Sequence, residues 1–132
     1  MRCMFNLSEE DRRFLHRLGL PWESITQGNQ RWLLIHEHPV PPGYNQGCVS
    51  LALQIPPGYP ESPLDMMFVF PALARPDGKP IKATEHTEQI DGKVYQRWSR
   101  HLTAANPWRS GDDGLETYHD LVCDWLRREF EA

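Results

Sequence analysis

Ser99 and His101 stand two residues apart in the segment Tyr95-Gln96-Arg97-Trp98-Ser99-Arg100-His101. On an extended backbone, residues i and i+2 point the same way, so a hydroxyl and an imidazole can approach each other there. A serine carries an acyl group as an oxyester once a base takes its proton during attack. Arg97 or Arg100 would steady the negative charge that develops. The structural alternative is a Ser99 that caps a turn and a His101 that binds a backbone carbonyl. Tyr95 offers a phenol as a second nucleophile, set against simple ring packing over its own loop.

Other residues of suitable type carry less. His36-x-His38 puts two imidazoles on one face of a strand, a geometry that binds zinc or copper. No third ligand lies at a persuasive spacing, Pro39 follows at once, and His86 and His101 are distant, so these read as surface histidines. Asp77-Gly78 and Asp91-Gly92 lack the alternating acidic residues of a calcium loop and read as turns. Asp112-Asp113-Gly114 reads as a helix start, with carboxylates at the positive helix end. Cys3, Cys48 and Cys123 are odd in number and widely spaced. That argues against a disulfide framework or zinc ribbon; Cys48 and Cys123 are expected to pack as small hydrophobes. No metal and no cofactor is expected.

These residues have to be positioned by something, and 132 residues suit a single domain with one core over 1–132. With 39% hydrophobic and 24% charged residues the chain is of globular type. Fourteen basic against 18 acidic residues give no bulk attraction to phosphate backbones, so nucleic acid is not an expected partner. Neither a leader peptide nor a membrane span is recognisable, and a cytoplasmic location is expected.

Ser8 can cap a helix over Ser8 to Leu18, with Asp11 at the capping-box position and Phe14, Leu15 and Leu18 as its apolar stripe. Trp22 to Ile25 and Arg31 to His36 read as extended around a turn at 27–30. Cys48 to Gln54 and Asp65 to Phe70 are two further strands, joined through Ile55-Pro56-Pro57-Gly58-Tyr59-Pro60-Glu61-Ser62-Pro63; proline is excluded from central strand positions, so this turn fixes where each strand stops. Periodicity disappears from Pro71 to Gly111, a length that in a small domain usually marks function. Leu115, Tyr118, Val122 and Trp125 recur at helical spacing in a closing helix, 115–129. There is no internal repeat. Helix, antiparallel meander, long irregular segment and helix make an α+β domain with its helices on one face or end of the sheet.

This order, together with Pro56-Pro57-Gly58-Tyr59-Pro60, Asp65-Met66-Met67, Ile90-Asp91-Gly92, Gln96-Arg97-Trp98-Ser99-Arg100-His101 and Asn106-Pro107-Trp108-Arg109, resembles the ubiquitin-conjugating enzyme fold and, more narrowly, prokaryotic ubiquitin-conjugating family E. The resemblance implies an active-site loop, a ubiquitin-like protein modifier, an ATP-dependent activating enzyme and a deubiquitinase-like metalloprotease encoded nearby. It also implies a place in antiphage defence. Trp98 and Trp108 read as packing anchors, and in the family reading Asp112 and Asp113 could also orient an incoming lysine.

The standard fold carries a catalytic Cys in the loop after its last meander strand, with an Asn upstream that stabilises the oxyanion. No Cys lies in Pro71 to Gly111, which argues against a classical thioester enzyme. Aligning Gly92-Lys93-Val94-Tyr95 on the family's Gly-x-Ile-Cys would put Tyr95 at the nucleophile. The expected function is a carrier that accepts the modifier on Ser99 as an oxyester and passes it to an amine, with Ser99, His101, Arg97, Arg100 and Tyr95 as site residues. The alternatives are a scaffold that binds the modifier or the activating enzyme without chemistry, and a metal enzyme built on His36, His38 and His101.

Overall fold

In the computed structural model, which describes residues 2–130, the first helix α1 spans Glu9–Leu18. Ser8 Oγ accepts from the Asp11 N–H at 3.1 Å, and Gly19, at φ 75°, closes the helix in the left-handed region that glycine tolerates. Acidic residues fill the first turn and His16 and Arg17 the last, complementing the helix dipole. The Asp11 carboxylate does not complete a capping box. It accepts from Tyr59 Oη at 2.7 Å and so ties the Pro-rich turn to α1.

Among the described residues six strands follow: β1 (Trp22–Gln27), β2 (Gln30–Pro39), β3 (Cys48–Gln54), β4 (Met67–Phe70), β5 (Thr87–Ile90) and β6 (Lys93–Trp98); α2 (Leu115–Arg128) comes after them. These six strands pair with one another antiparallel throughout, in the order β1-β2-β3-β4-β6-β5. β4 starts two residues later than the sequence suggests, because Met66 sits at φ 59° and its N–H is drawn to Arg100 O instead of a ladder.

The larger correction concerns 71–111, which is not one irregular segment. β5 and β6 form a hairpin there, with Asp91 at φ 53° and Gly92 at φ 75°, the two positive values a type I′ turn requires. β6 inserts beside β4 and leaves β5 at the edge. The two edge strands then meet. The Gln27 side chain on β1 donates to Gln89 O at 2.9 Å and accepts the Asp91 N–H at 3.0 Å, while Arg2 bridges Glu23 and Asp91 at 3.0 and 2.7 Å. The sheet is therefore curled and has a core on each face. The helix side holds Leu15, Leu33, Leu51, Trp98, Tyr118 and Val122, and the other side Trp32, Leu34, Phe68 and Tyr95. Each such side chain, once fully buried, contributes roughly 1.5–3 kcal/mol.

Two cysteine expectations change. Cys48 opens β3 opposite Pro39 at the end of the sheet and is exposed, not core; Cys123 is half-buried. No helix among the described residues is long and apolar enough to cross a membrane. The architecture is α+β, two helices against a curled antiparallel sheet, consistent with a ubiquitin-conjugating-like fold.

Candidate active site beside Ser99

β6 ends at Trp98, whose ring is fully buried and whose indole N–H donates to Gln96 Oε1 at 2.9 Å. Just beyond, the chain is clamped from both sides. The Ser99 N–H donates to Ala83 O and the Met66 N–H to Arg100 O, each at 3.0 Å. Ala83 at φ 57° and Met66 at φ 59° both hold left-handed backbone, which costs a non-glycine residue about 1–3 kcal/mol. The surrounding packing over-determines this stretch.

Ser99, Arg100 and His101 share a cleft of about 680 Å³ with Lys82, Trp125 and Arg128. Arg100 lies over the Trp98 ring at 4.9 Å, donates to Lys82 O at 2.8 Å and pairs with Glu129 at 3.6 Å. Burial lowers its pKa, and the nearby Glu129 carboxylate opposes that. Glu129 also takes Arg75 at 3.3 Å, so two arginines from different segments fix the end of the chain's last helix against the cleft. His101 Nδ1–H donates to Asp65 Oδ1 at 2.8 Å, and these side chains are 60% and 53% exposed. That bond occupies Nδ1 and leaves Nε2 to accept a proton. Among the described residues no hydrogen bond joins Ser99 Oγ to His101.

The other site residues read from the sequence stand elsewhere. Arg97 pairs with Phe68 within the sheet, and its Nε is buried without a partner. Tyr95 is 1% exposed, packs at 5.6 Å on Phe70 in the core opposite the helices, and its phenol pKa is pushed up by burial. Neither lines the cleft. Trp108 packs between Tyr59 and Tyr118 and donates to Pro60 O at 2.9 Å. Asp113 accepts the Arg109 N–H at 2.7 Å, and α2 begins after Gly114, so this stretch is a helix start. Asp65 escaped sequence reading because it lies 36 residues from His101, across β4, the connection after it and the β5–β6 hairpin, and no local pattern links them.

The histidine pair on β2 is a second correction. A bulge between Ile35 and His38, with Glu37 at φ 55°, breaks the alternation that would put His36 and His38 on one face. His36 binds Glu23 and Ser50 at 2.9 Å each; Arg2 first, then His36, hold the Glu23 carboxyl down to about 2. His38 is not a surface residue. It is 3% exposed, with Nε2 2.7 Å from His119 Nε2 on α2 and Cys123 nearby. Burial lowers the pKa of both imidazoles, that of His119 to about 4, where the His38 charge adds to the effect. His119 was legible in part: it lies four residues after Leu115, inside the apolar stripe of α2.

Neither curated proteins nor solved structures returned a match to the chain. Residues 7–129, spanning both helices and the whole sheet, match the family model for Prokaryotic E2 family E, and the chain belongs to that family of ubiquitin-conjugating-like proteins.

Proposed function

We propose that this conjugating-type protein accepts the C-terminal acyl group of a ubiquitin-like modifier from an ATP-dependent activating enzyme as an oxyester on Ser99, and passes it to an amine. The observation that carries this reading is that His101, tied to Asp65 at 2.8 Å, lines the same cleft as Ser99. It supplies a base whose second nitrogen is held by a carboxylate, the arrangement that activates a serine. Ser99 Oγ attacks the activated carbonyl as His101 Nε2 takes its proton; the bond to the activating enzyme breaks and its leaving group receives that proton. In the second step an amine attacks the ester, Ser99 Oγ leaves and is reprotonated, and an amide forms.

An oxyester is less reactive toward amines than a thioester, so positioning and charge must compensate. Arg75, Lys82, Arg100 and Arg128 against the single carboxylate of Glu129 leave the cleft lining net positive, which favours an oxyanion. A second reading, a scaffold without chemistry, is favoured by the lack of a bond between Ser99 Oγ and His101 and by the lack of a cysteine in 71–111.

The test is incubation with the activating enzyme, the modifier and ATP, followed by exposure of any adduct to thiol, hydroxylamine and mild alkali. The expected adduct resists thiol, yields to hydroxylamine and alkali, and is absent from Ser99→Ala. A thiol-labile adduct moves the acyl group to a cysteine such as the exposed Cys48. No adduct with partners proven active supports the scaffold.

A further inference from the structure

The cluster on the other flank of α2 is unused by this chemistry. From the geometry of His38, His119 and Cys123 we infer a zinc-binding site with three protein ligands and one exchangeable position open to the adjacent groove.

One candidate donor atom from each of the three residues lies within 4.8 Å of the others. His119 Nε2 is 2.7 Å from His38 Nε2 and 3.7 Å from Cys123 Sγ. Tetrahedral zinc with bonds of about 2.05 Å to nitrogen and about 2.3 Å to sulfur needs N···N of about 3.3 Å and N···S of about 3.6 Å. The nitrogen–sulfur spacing is already close to this, and a small ring rotation opens the nitrogen pair.

His38 is also prepared as a ligand. Its Nδ1–H donates to Pro39 O at 2.8 Å, which leaves the lone pair on Nε2, the backbone-carbonyl support that ligand histidines commonly have. His119 and Cys123 stand at i and i+4 on α2 and so share a face. Beside them lies a groove of about 390 Å³ with mostly apolar walls from Leu18, Leu20, Val40 and Leu126. Three ligands from nitrogen and sulfur suit zinc, and a neighbouring cavity suits a fourth position held by water or a small anion. On binding, the Cys123 thiol gives up its proton to solvent as the zinc–sulfur bond forms, and the His119 proton resides on Nδ1, so one proton is released per zinc. By helical spacing His119, Cys123 and Leu126 occupy a different flank of α2 from Trp125, Arg128 and Glu129, so this site and the Ser99 cleft are separate.

The test uses the untagged full chain with Cys3→Ser and Cys48→Ser, so that Cys123 is its remaining thiol. Titrated with Co²⁺, it is expected to bind one equivalent with a thiolate-to-cobalt charge-transfer band and the intense visible bands of a four-coordinate ion, all displaced by one equivalent of Zn²⁺. Cys123→Ala removes the charge-transfer band, and His38→Gln weakens zinc binding about 100-fold or more. Circular dichroism checks that each variant is folded. If a variant does not fold, the parent titration decides alone: one equivalent with the band supports the site. No stoichiometric Co²⁺ or Zn²⁺ uptake by the parent, or a band that survives in folded Cys123→Ala, overturns it and leaves a buried hydrogen-bonded imidazole pair.

Discussion

The two imidazole groups that flank α2 are built in opposite ways. His101 and Asp65 are solvated, 60% and 53% exposed, on chain that backbone hydrogen bonds hold in place. His38 and His119 are 3% and 7% exposed and meet across 81 residues between a strand and a helix. Solvation decides what each can do. An imidazole in water takes and returns protons at little cost, as a general base must. A buried imidazole pays desolvation to charge, stays neutral, and keeps a lone pair for a neighbour. The same residue type is thus suited to proton transfer in one place and to lending a lone pair in the other.

The sharpest way to break this contrast lies on the exposed side. Ser99→Ala is expected to abolish the alkali-labile adduct while leaving zinc uptake unchanged; adduct retained by the variant on denaturing gels removes Ser99 as acceptor. His101→Gln should slow adduct formation about 100-fold or more, the usual contribution of a positioned base. Single-turnover rates measure this, and an unchanged rate leaves His101 as a surface residue.

The buried side answers to pH. His119 titrates at about 4 in the folded chain against 6.5 ordinarily, because burial and then the His38 charge oppose protonation. Between those values the unfolded chain binds the extra proton and the folded one does not. The metal-free protein should therefore lose stability as pH falls from 6.5 to about 4, by at most about 3 kcal/mol, and be unaffected by this group above 6.5. Urea midpoints across that range measure it, and His119→Gln should flatten the profile.

Asp65→Asn should cost the adduct rate about tenfold, equivalent to about 1.4 kcal/mol, since the carboxylate holds His101 through one exposed hydrogen bond. Parent-like kinetics would detach Asp65 from the site. The smallest effect belongs to Ser8→Ala. Losing the α1 cap should lower stability by about 1 kcal/mol in denaturant unfolding and leave both adduct and metal binding unaltered.

Much of the scaffold was legible because its determinants are local. Ser8 and Gly19 bracket α1, alternation marks β3, and the apolar stripe marks α2. The β5–β6 hairpin was missed although Asp91-Gly92 is a strong two-residue turn signal. Its strands are short, and β6 sends Tyr95 to one core and Trp98 to the other, so no plain alternation between apolar and polar residues marks it. The site was legible only in outline. Ser99 and His101 could be named from spacing, and the structure does bring them with Arg100 to one cleft, but Tyr95 and Arg97 fall outside its lining.

The sequence by itself determined where helices start and stop, where strands must break at proline, and that 71–111 holds no cysteine. Each depends on residues within a few positions of one another. Only the tertiary structure decided that His101 meets Asp65, that Arg75 and Arg100 converge on Glu129, and that His38 is buried against His119 and Cys123. The physical reason is a bulge at Glu37 and the insertion of β6 beside β4, which set facing and neighbours over tens of residues. Side-chain periodicity carries no information about such distant partners.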